Sequence, residues 1–196
     1  MKFILENLIG IVSITILSLN TIILSCLLIP LGLIKFFLPI TNIKVLFTKF
    51  IINIGELWIF TNKIWVKALH KPNWEIIGKE NIKSNGWTIA TSNHQSFADI
   101  FLLQDITNMK MPMLKFFMKY VLIYVPIIGL SWWALDMPFL KRYTKKQLEK
   151  NPKLVGKDVK EMKRALKHYS LYPVTVFSFA EGTRFTVKKH RNQNSP

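Results

Sequence analysis

Cysteine is almost missing from this chain: Cys26 is the single one in 196 residues. An intramolecular disulfide is therefore excluded, and a lone thiol inside an apolar run fits a reducing compartment for the rest. Arginine is scarce as well, with only Arg142, Arg164, Arg184 and Arg191 among 27 basic residues. In a chain that otherwise uses lysine, an arginine marks a place where a planar, two-pronged donor is wanted instead of a point charge. No set of His, Cys and carboxylate residues has the spacing of a metal site, so no metal is expected. Nor do aromatic residues alternate with Lys and Arg as they would on a nucleic-acid-binding sheet face. With no such motif present, nucleic acid is not the expected partner despite a net charge of +16.

Charge is missing altogether between Asn7 and Ile34. Residues 8–29 alone exceed the roughly 20 apolar positions that span a bilayer as a helix. A secretory signal would have a shorter apolar core, about 7–15 residues, and a small-residue cleavage site, which is not found after Pro30. The expectation is an uncleaved transmembrane anchor over residues 1–40. Lys2 and Glu6 cancel before the run, whereas Lys35, Lys44 and Lys49 follow it. That asymmetry places the C-terminal part on the cytoplasmic side. All the excess positive charge then lies on residues 35–196, facing an anionic partner such as a membrane surface.

Residues 43–69 read as one long aromatic helix within a second unit, 41–72. Lys49, Asn53, Glu56, Lys63 and Lys67 form a thin polar stripe among Phe, Trp, Ile and Leu. Two places suit it equally: the membrane interface, as the floor of a lipid-facing cleft, or the core of the domain. Lys71-Pro72-Asn73 ends it.

The third unit, 73–196, alternates between the two regular periods. Residues 74–78 and 87–91 predict short strands, and residues 97–106 a helix with Ser96 as its N-cap. Residues 115–136 contain a Pro-x-x-Gly break at Pro126 and Gly129, which predicts two short core elements and not a second span. A helix is expected over 157–169, with Val159, Met162, Leu166 and Tyr169 along its inner face. A buried strand follows over 174–179. His70, His168 and His190 are expected at the surface. The fold class is α/β, a mixed sheet flanked by helices, behind a transmembrane helix and an interfacial helix.

Two motifs follow strands and so fall where α/β folds place their chemistry. In Asn93-His94-Gln95-Ser96-Phe97-Ala98-Asp99 a histidine precedes a carboxylate by five residues. In Phe179-Ala180-Glu181-Gly182-Thr183-Arg184 a glycine separates a carboxylate from an arginine, as an anion-holding turn requires. His-x4-Asp alone arises often by chance, Glu-Gly-Thr-Arg rarely. Transfer of an acyl group from a thioester needs a base that works near neutral pH, and His94 is the candidate. Asp99 would fix its tautomer and stabilise the imidazolium. The donor is already activated, so no covalent intermediate is needed, and Ser96 suits a cap better than a nucleophile. Arg142 and Arg184 would grip a phosphate bidentately, and Gly182 would let the backbone approach it.

The first motif resembles that of the glycerolipid acyltransferases, the lysophosphatidic acid acyltransferase-like family. Phe139-Leu140-Lys141-Arg142 resembles the family's phosphate-binding motif. Residues 179–184 resemble its third, with Ala180 where many members have proline. Trp133-Ala134-Leu135-Asp136-Met137-Pro138-Phe139, Lys141-Arg142-Tyr143 and Gly156-Lys157-Asp158-Val159 are similar to bacterial inner-membrane acyltransferases of the YihG type and to the lysocardiolipin-acyltransferase-like group. The resemblance implies transfer of a fatty acyl group from coenzyme A or acyl carrier protein to the free hydroxyl of a lysophospholipid. It implies His94 as base and Asp99 as its orienter. Arg142, Glu181, Gly182, Thr183 and Arg184 would bind the acceptor. No metal or prosthetic group is implied, only the acyl thioester as co-substrate. The implied location is a bacterial inner membrane, and Asp99 argues against lipid A as acceptor, since members acting on it often carry Glu there. The family's fourth motif, a short apolar strand, has no counterpart before Pro196, so a C-terminally truncated domain is expected. A non-catalytic membrane protein that binds lipid is the alternative reading.

Overall fold

The computed structural model describes residues 2–82, 84–180, 182, 184–187 and 191. It opens with two long helices, α1 (Lys2–Phe37) and α2 (Thr41–His70), which fold back on each other as an antiparallel hairpin. Helix α1 is the one helix among the described residues that is long and apolar enough to cross a membrane. At 1.5 Å per residue it is about 54 Å long, well beyond a hydrocarbon core of about 30 Å.

Polar pairs set the hairpin's register along its length. Ser13 Oγ meets His70 Nε2 at 2.7 Å, Asn20 Nδ2 donates to Asn62 Oδ1 at 2.8 Å, and Trp58 Nε1 donates to Thr21 Oγ1 at 3.1 Å. Further along, Leu24 and Leu28 pack against Ile51, Ile54 and Ile59. Helix α1 therefore lies with α2 at its side. Their outward faces, with Ile4, Leu8, Ile11, Ile14, Leu46, Phe50 and Phe60, stay exposed and apolar. On the side of α2 that meets α3, Lys63 and Lys67 both pair with Asp105. Helix α2 is thus both a floor under the domain and an outward apolar surface. It ends where Lys71 turns left-handed (φ 42°) ahead of Pro72.

The domain carries two parallel sheets. In one, β1 (Thr88–Ser92) and β2 (Leu114–Phe116) flank the central β5 (Thr175–Phe179). In the other, β3 (Met118–Lys119) pairs with β4 (Phe139–Leu140). A mixed sheet was expected, but every strand pair among the described residues is parallel. Parallel neighbours need crossovers, which α3 (Ala98–Thr107), α4 (Ile128–Ala134), α5 (Lys145–Lys150) and α6 (Lys157–Tyr169) help provide.

Four local expectations are corrected. Residues 74–78 form no strand, because Gly78 turns left-handed (φ 78°) into a 3-10 turn at Lys79–Asn81 and Trp74, Glu75 and Ile77 point to solvent. Ser96 is not the N-cap residue of α3, which is Phe97 with no side-chain cap. The Ser96 hydroxyl still accepts from Ala98 N at 3.1 Å. On α6 Val159 and Leu166 are exposed, and its buried end is Tyr169, packed with Tyr172 and Val174. His168 is not a free surface side chain, since its Nε2 lies 3.5 Å from Asp136 Oδ2. The highly charged stretch 143–151 also contains a helix, α5, started by a capping box in which the Thr144 and Gln147 side chains satisfy each other's backbone N–H.

The hairpin is fastened to the domain at Asp136. Lys35 Nζ, near the end of α1, donates to both Asp136 oxygens at 2.8 Å and to Ala134 O at 2.7 Å. Tyr172 Oη donates to Asp136 Oδ2 at 3.0 Å. Burial alone would raise this carboxyl, but the His168 hydrogen bond and the Lys35 and Lys115 cations outweigh it and hold the carboxyl well below its ordinary range. Close approach helps as well, because a Cβ on Gly32 would sit 2.6 Å from Ala134 Cβ.

The Pro126–Gly129 break is enforced by backbone contact: a Cβ on Gly129 would lie 2.3 Å from Ile123 O. Gly129→Ala should therefore cost about 1–3 kcal/mol as overpacking against an immovable carbonyl. Gly10→Ala, with nothing within 4 Å, should be neutral or mildly stabilising. Thermal unfolding of the detergent-solubilised chain checks both; equal melting temperatures would refute the clash.

Candidate active site

Strands β1 and β5 pair in register from Thr88↔Thr175 to Ser92↔Phe179, so they end side by side. The chain after each strand carries one of the two motifs. Ala180 N donates to Ser92 O at 3.0 Å, which extends the ladder by one bond. Phe185 N then donates to His94 O at 2.7 Å, which fastens the second motif's chain to the first. The shared C-terminal edge of a parallel sheet is where such folds place ligands.

His94 and Asp99 meet as their spacing requires. Nδ1 of His94 lies 3.0 Å from Asp99 Oδ2. The same oxygen accepts from Gln95 N at 2.7 Å and Ser96 N at 2.8 Å, and Ser96 Oγ donates to Oδ1 at 3.2 Å. The Ser96 N–H first, and then His94, hold the Asp99 carboxyl down to about 2. An ionised carboxylate only accepts, so Nδ1 of His94 carries the proton and Nε2 keeps its lone pair. No hydrogen bond to Nε2 occurs among the described residues. The imidazole is held from its face too: it stacks on Phe179 with ring centroids 3.9 Å apart and planes 14° from parallel.

Arg142 makes two contacts to backbone carbonyls. Its Nη1 donates to Gly182 O at 3.2 Å and its Nη2 to Phe117 O at 2.9 Å. The planar fork thus ties the turn after β5 to the end of β2, with one hydrogen left on each nitrogen. Arg142 sits at φ 53°, a conformation costly for a side-chain-bearing residue. Asp158 explains how it persists: its two oxygens accept from Lys141 N at 3.0 Å and Arg142 N at 2.9 Å. Gly182 is also left-handed (φ 67°), with open space where a Cβ would point, so strain and not crowding favours glycine there. Arg184 lays its guanidinium over the Phe97 ring, 3.8 Å from the centroid.

His94, Asp99, Arg142, Gly182 and Arg184 are therefore gathered at one edge, whereas Glu181 and Thr183 lie outside the described residues. Phe179, Phe97 and Asp158 were missed as site residues. The two phenylalanines stand inside the motifs, where a ring beside a histidine or arginine was a usable signal. Asp158 stood in the Gly156-Lys157-Asp158-Val159 stretch noted for its resemblance, but only the fold shows that it holds the backbone of Arg142. Among the described residues no cluster of His, Cys, Asp and Glu is arranged to hold a metal.

The lowered Asp99 value has a definite sign. Its bonds add stability that is present above the carboxylate's unfolded value, near 3.8, and is lost as pH falls toward about 2. Asp99 thus stays ionised at neutral pH. Nitrogen NMR of the full chain should find the neutral His94 ring protonated at Nδ1, and Asp99→Asn should weaken that preference. A ring protonated mainly at Nε2 in the unsubstituted protein would contradict the pairing.

A family model described as acyltransferase matches residues 73–194, more than half of the chain. No curated protein and no solved structure matches it. The match covers the whole domain that holds the edge just described, and with it come acyl transfer, a lipid substrate and an acyl donor as the general chemistry. The chain belongs to the acyltransferase family.

Proposed function

We propose that the protein transfers a fatty acyl group from an acyl thioester, of coenzyme A or acyl carrier protein, to the free hydroxyl of lysophosphatidic acid or another lysophospholipid. The observation that carries the reading is the free Nε2 of His94, with Nδ1 held by Asp99, at the edge where Arg142 and Arg184 converge. The acceptor hydroxyl attacks the thioester carbonyl while Nε2 takes its proton. The new C–O bond forms, the tetrahedral oxyanion collapses, and the C–S bond breaks. The imidazolium, stabilised by Asp99, returns the proton to the leaving thiolate.

The two arginines supply the acceptor's anchor. The hydrogens of Arg142 not used on Gly182 and Phe117 would serve an anion as charge-assisted donors, and Arg184 adds a second positive charge at the same edge. Glu181 and Thr183 join this acceptor-binding set on the resemblance of their motif. The apolar faces of α1 and α2 keep the enzyme at a membrane, where the lysophospholipid acceptor and the acylated product reside. We assign the catalytic domain to the cytoplasmic side of a bacterial inner membrane, on the lysines that follow the apolar run.

Membranes holding the chain, given lysophosphatidic acid and labelled acyl-coenzyme A, should form phosphatidic acid. His94→Ala should lower the rate by about 100-fold or more. Arg184→Ala should chiefly raise the acceptor KM. Product formation unaffected by His94→Ala would reject the mechanism. Absence of product with any lysophospholipid and either donor would favour a lipid-binding protein that does no chemistry.

A further inference from the structure

A concavity not lined by His94 or Asp99 lies where the end of α1 and the start of α2 approach α6. It encloses about 560 Å³, within the range of sites that hold small ligands. We infer that this groove binds the headgroup of an anionic phospholipid of the surrounding bilayer.

Charge is the first argument. Lys44 and Arg164 line the groove, and neither has an ion-pair partner among the described residues. Lys35 lines it too but is neutralised by Asp136, which His168 also faces. The other carboxylate in the wall is Glu161. Two unpaired cations therefore face one unpaired acid. The outer side of α6 adds Lys157, Lys160, Lys163 and Lys167, all exposed, so the local field attracts anions.

Position is the second argument. Phe36 and Trp133 line the groove and their rings pack 5.9 Å apart. Phe36 and its neighbour Phe37 are 62% and 78% exposed and continue the apolar face of α1. Aromatic side chains between an apolar helix and a basic surface mark the level of the headgroups. A phospholipid whose chains lie along α1 thus has its phosphate at Lys44 and Arg164. A soluble anion would need no apolar strip leading to its site, which is why the bilayer is the source.

The groove also borders the catalytic edge. Tyr120 forms part of its wall, and Lys141 Nζ, next to Arg142, lies 5.3 Å from the Tyr120 ring centroid. A headgroup in the groove would touch the far side of the segment that carries Arg142. The binding itself does not depend on acyl transfer, so it is tested without it.

Native mass spectrometry of the full chain, released from micelles containing equal dioleoyl phosphatidylglycerol and dioleoyl phosphatidylcholine, is the test. The unsubstituted protein should retain phosphatidylglycerol in clear preference. At about fivefold in affinity per basic contact, Lys44→Gln with Arg164→Gln should weaken that retention by about 25-fold. Lys160→Gln with Lys163→Gln, outside the groove, should change it by no more than about twofold. Circular dichroism verifies that each variant is folded. Equal losses in the two pairs would mean a diffuse field and overturn the site, as would undiminished retention in the groove pair. Displacement of the lipid by inorganic phosphate or by coenzyme A at matched ionic strength would also overturn it, by making the groove a soluble-anion site.

Discussion

The parallel pairing of β1 with β5 is the constraint on which the rest depends. Eighty-seven positions separate Ser92 from Phe179, yet the register sets them opposite each other. A slip of one residue would turn the Phe179 ring to the other face of the sheet, leaving the His94 imidazole without its stack. It would also move the Phe185 N–H away from His94 O. His94 and Asp99 are tied to each other within one turn, so the ladder sets where that pair sits. Its hydrogen bonds are made in a core of Val174, Thr175 and Phe177, each at most 2% exposed, where water cannot compete for them.

A second tie joins the domain to the apolar hairpin. Asp136 receives Lys35 from the hairpin, Tyr172 from the approach to β5 and His168 from α6, and its own carbonyl accepts from Tyr169 Oη. Lys115 is completely buried close by and donates to Leu135 O; burial, chiefly, lowers its ammonium to about 8. Buried charges of this kind contribute little net stability but penalise every arrangement that separates them. The domain is therefore held in one orientation to α1. The edge bearing His94 thus keeps a fixed direction relative to the apolar helix, which the proposed transfer to a membrane-held acceptor would require.

Much of this was legible in the sequence because the strong signals are local. The apolar run, the helix at 41–70, the helix at 157–169 and the strands bearing the two motifs follow from composition and period. His94 with Asp99 follows from spacing on one strand-to-helix turn. What was not legible is set at long range. The expected strand at 74–78 has the right residue types, but no neighbouring strand pairs with it. Val159 and Leu166 have the right helical spacing, but the domain buries the Tyr169 end of α6 instead. Arg142 was identified for its fork; that the fork would first be spent on Gly182 O and Phe117 O, with Asp158 holding the strained backbone, depends on residues 16 to 40 positions away.

The central claim is direct transfer, with His94 moving the proton and no acyl-enzyme on the way. Rapid-mixing measurement of thiol release beside ester formation, using acyl-coenzyme A with and without lysophosphatidic acid, tests it most directly. The account predicts that thiol appears only when acceptor is present, in step with ester and with no initial burst. A burst of thiol without acceptor, one per protein, would contradict it by revealing a covalent intermediate.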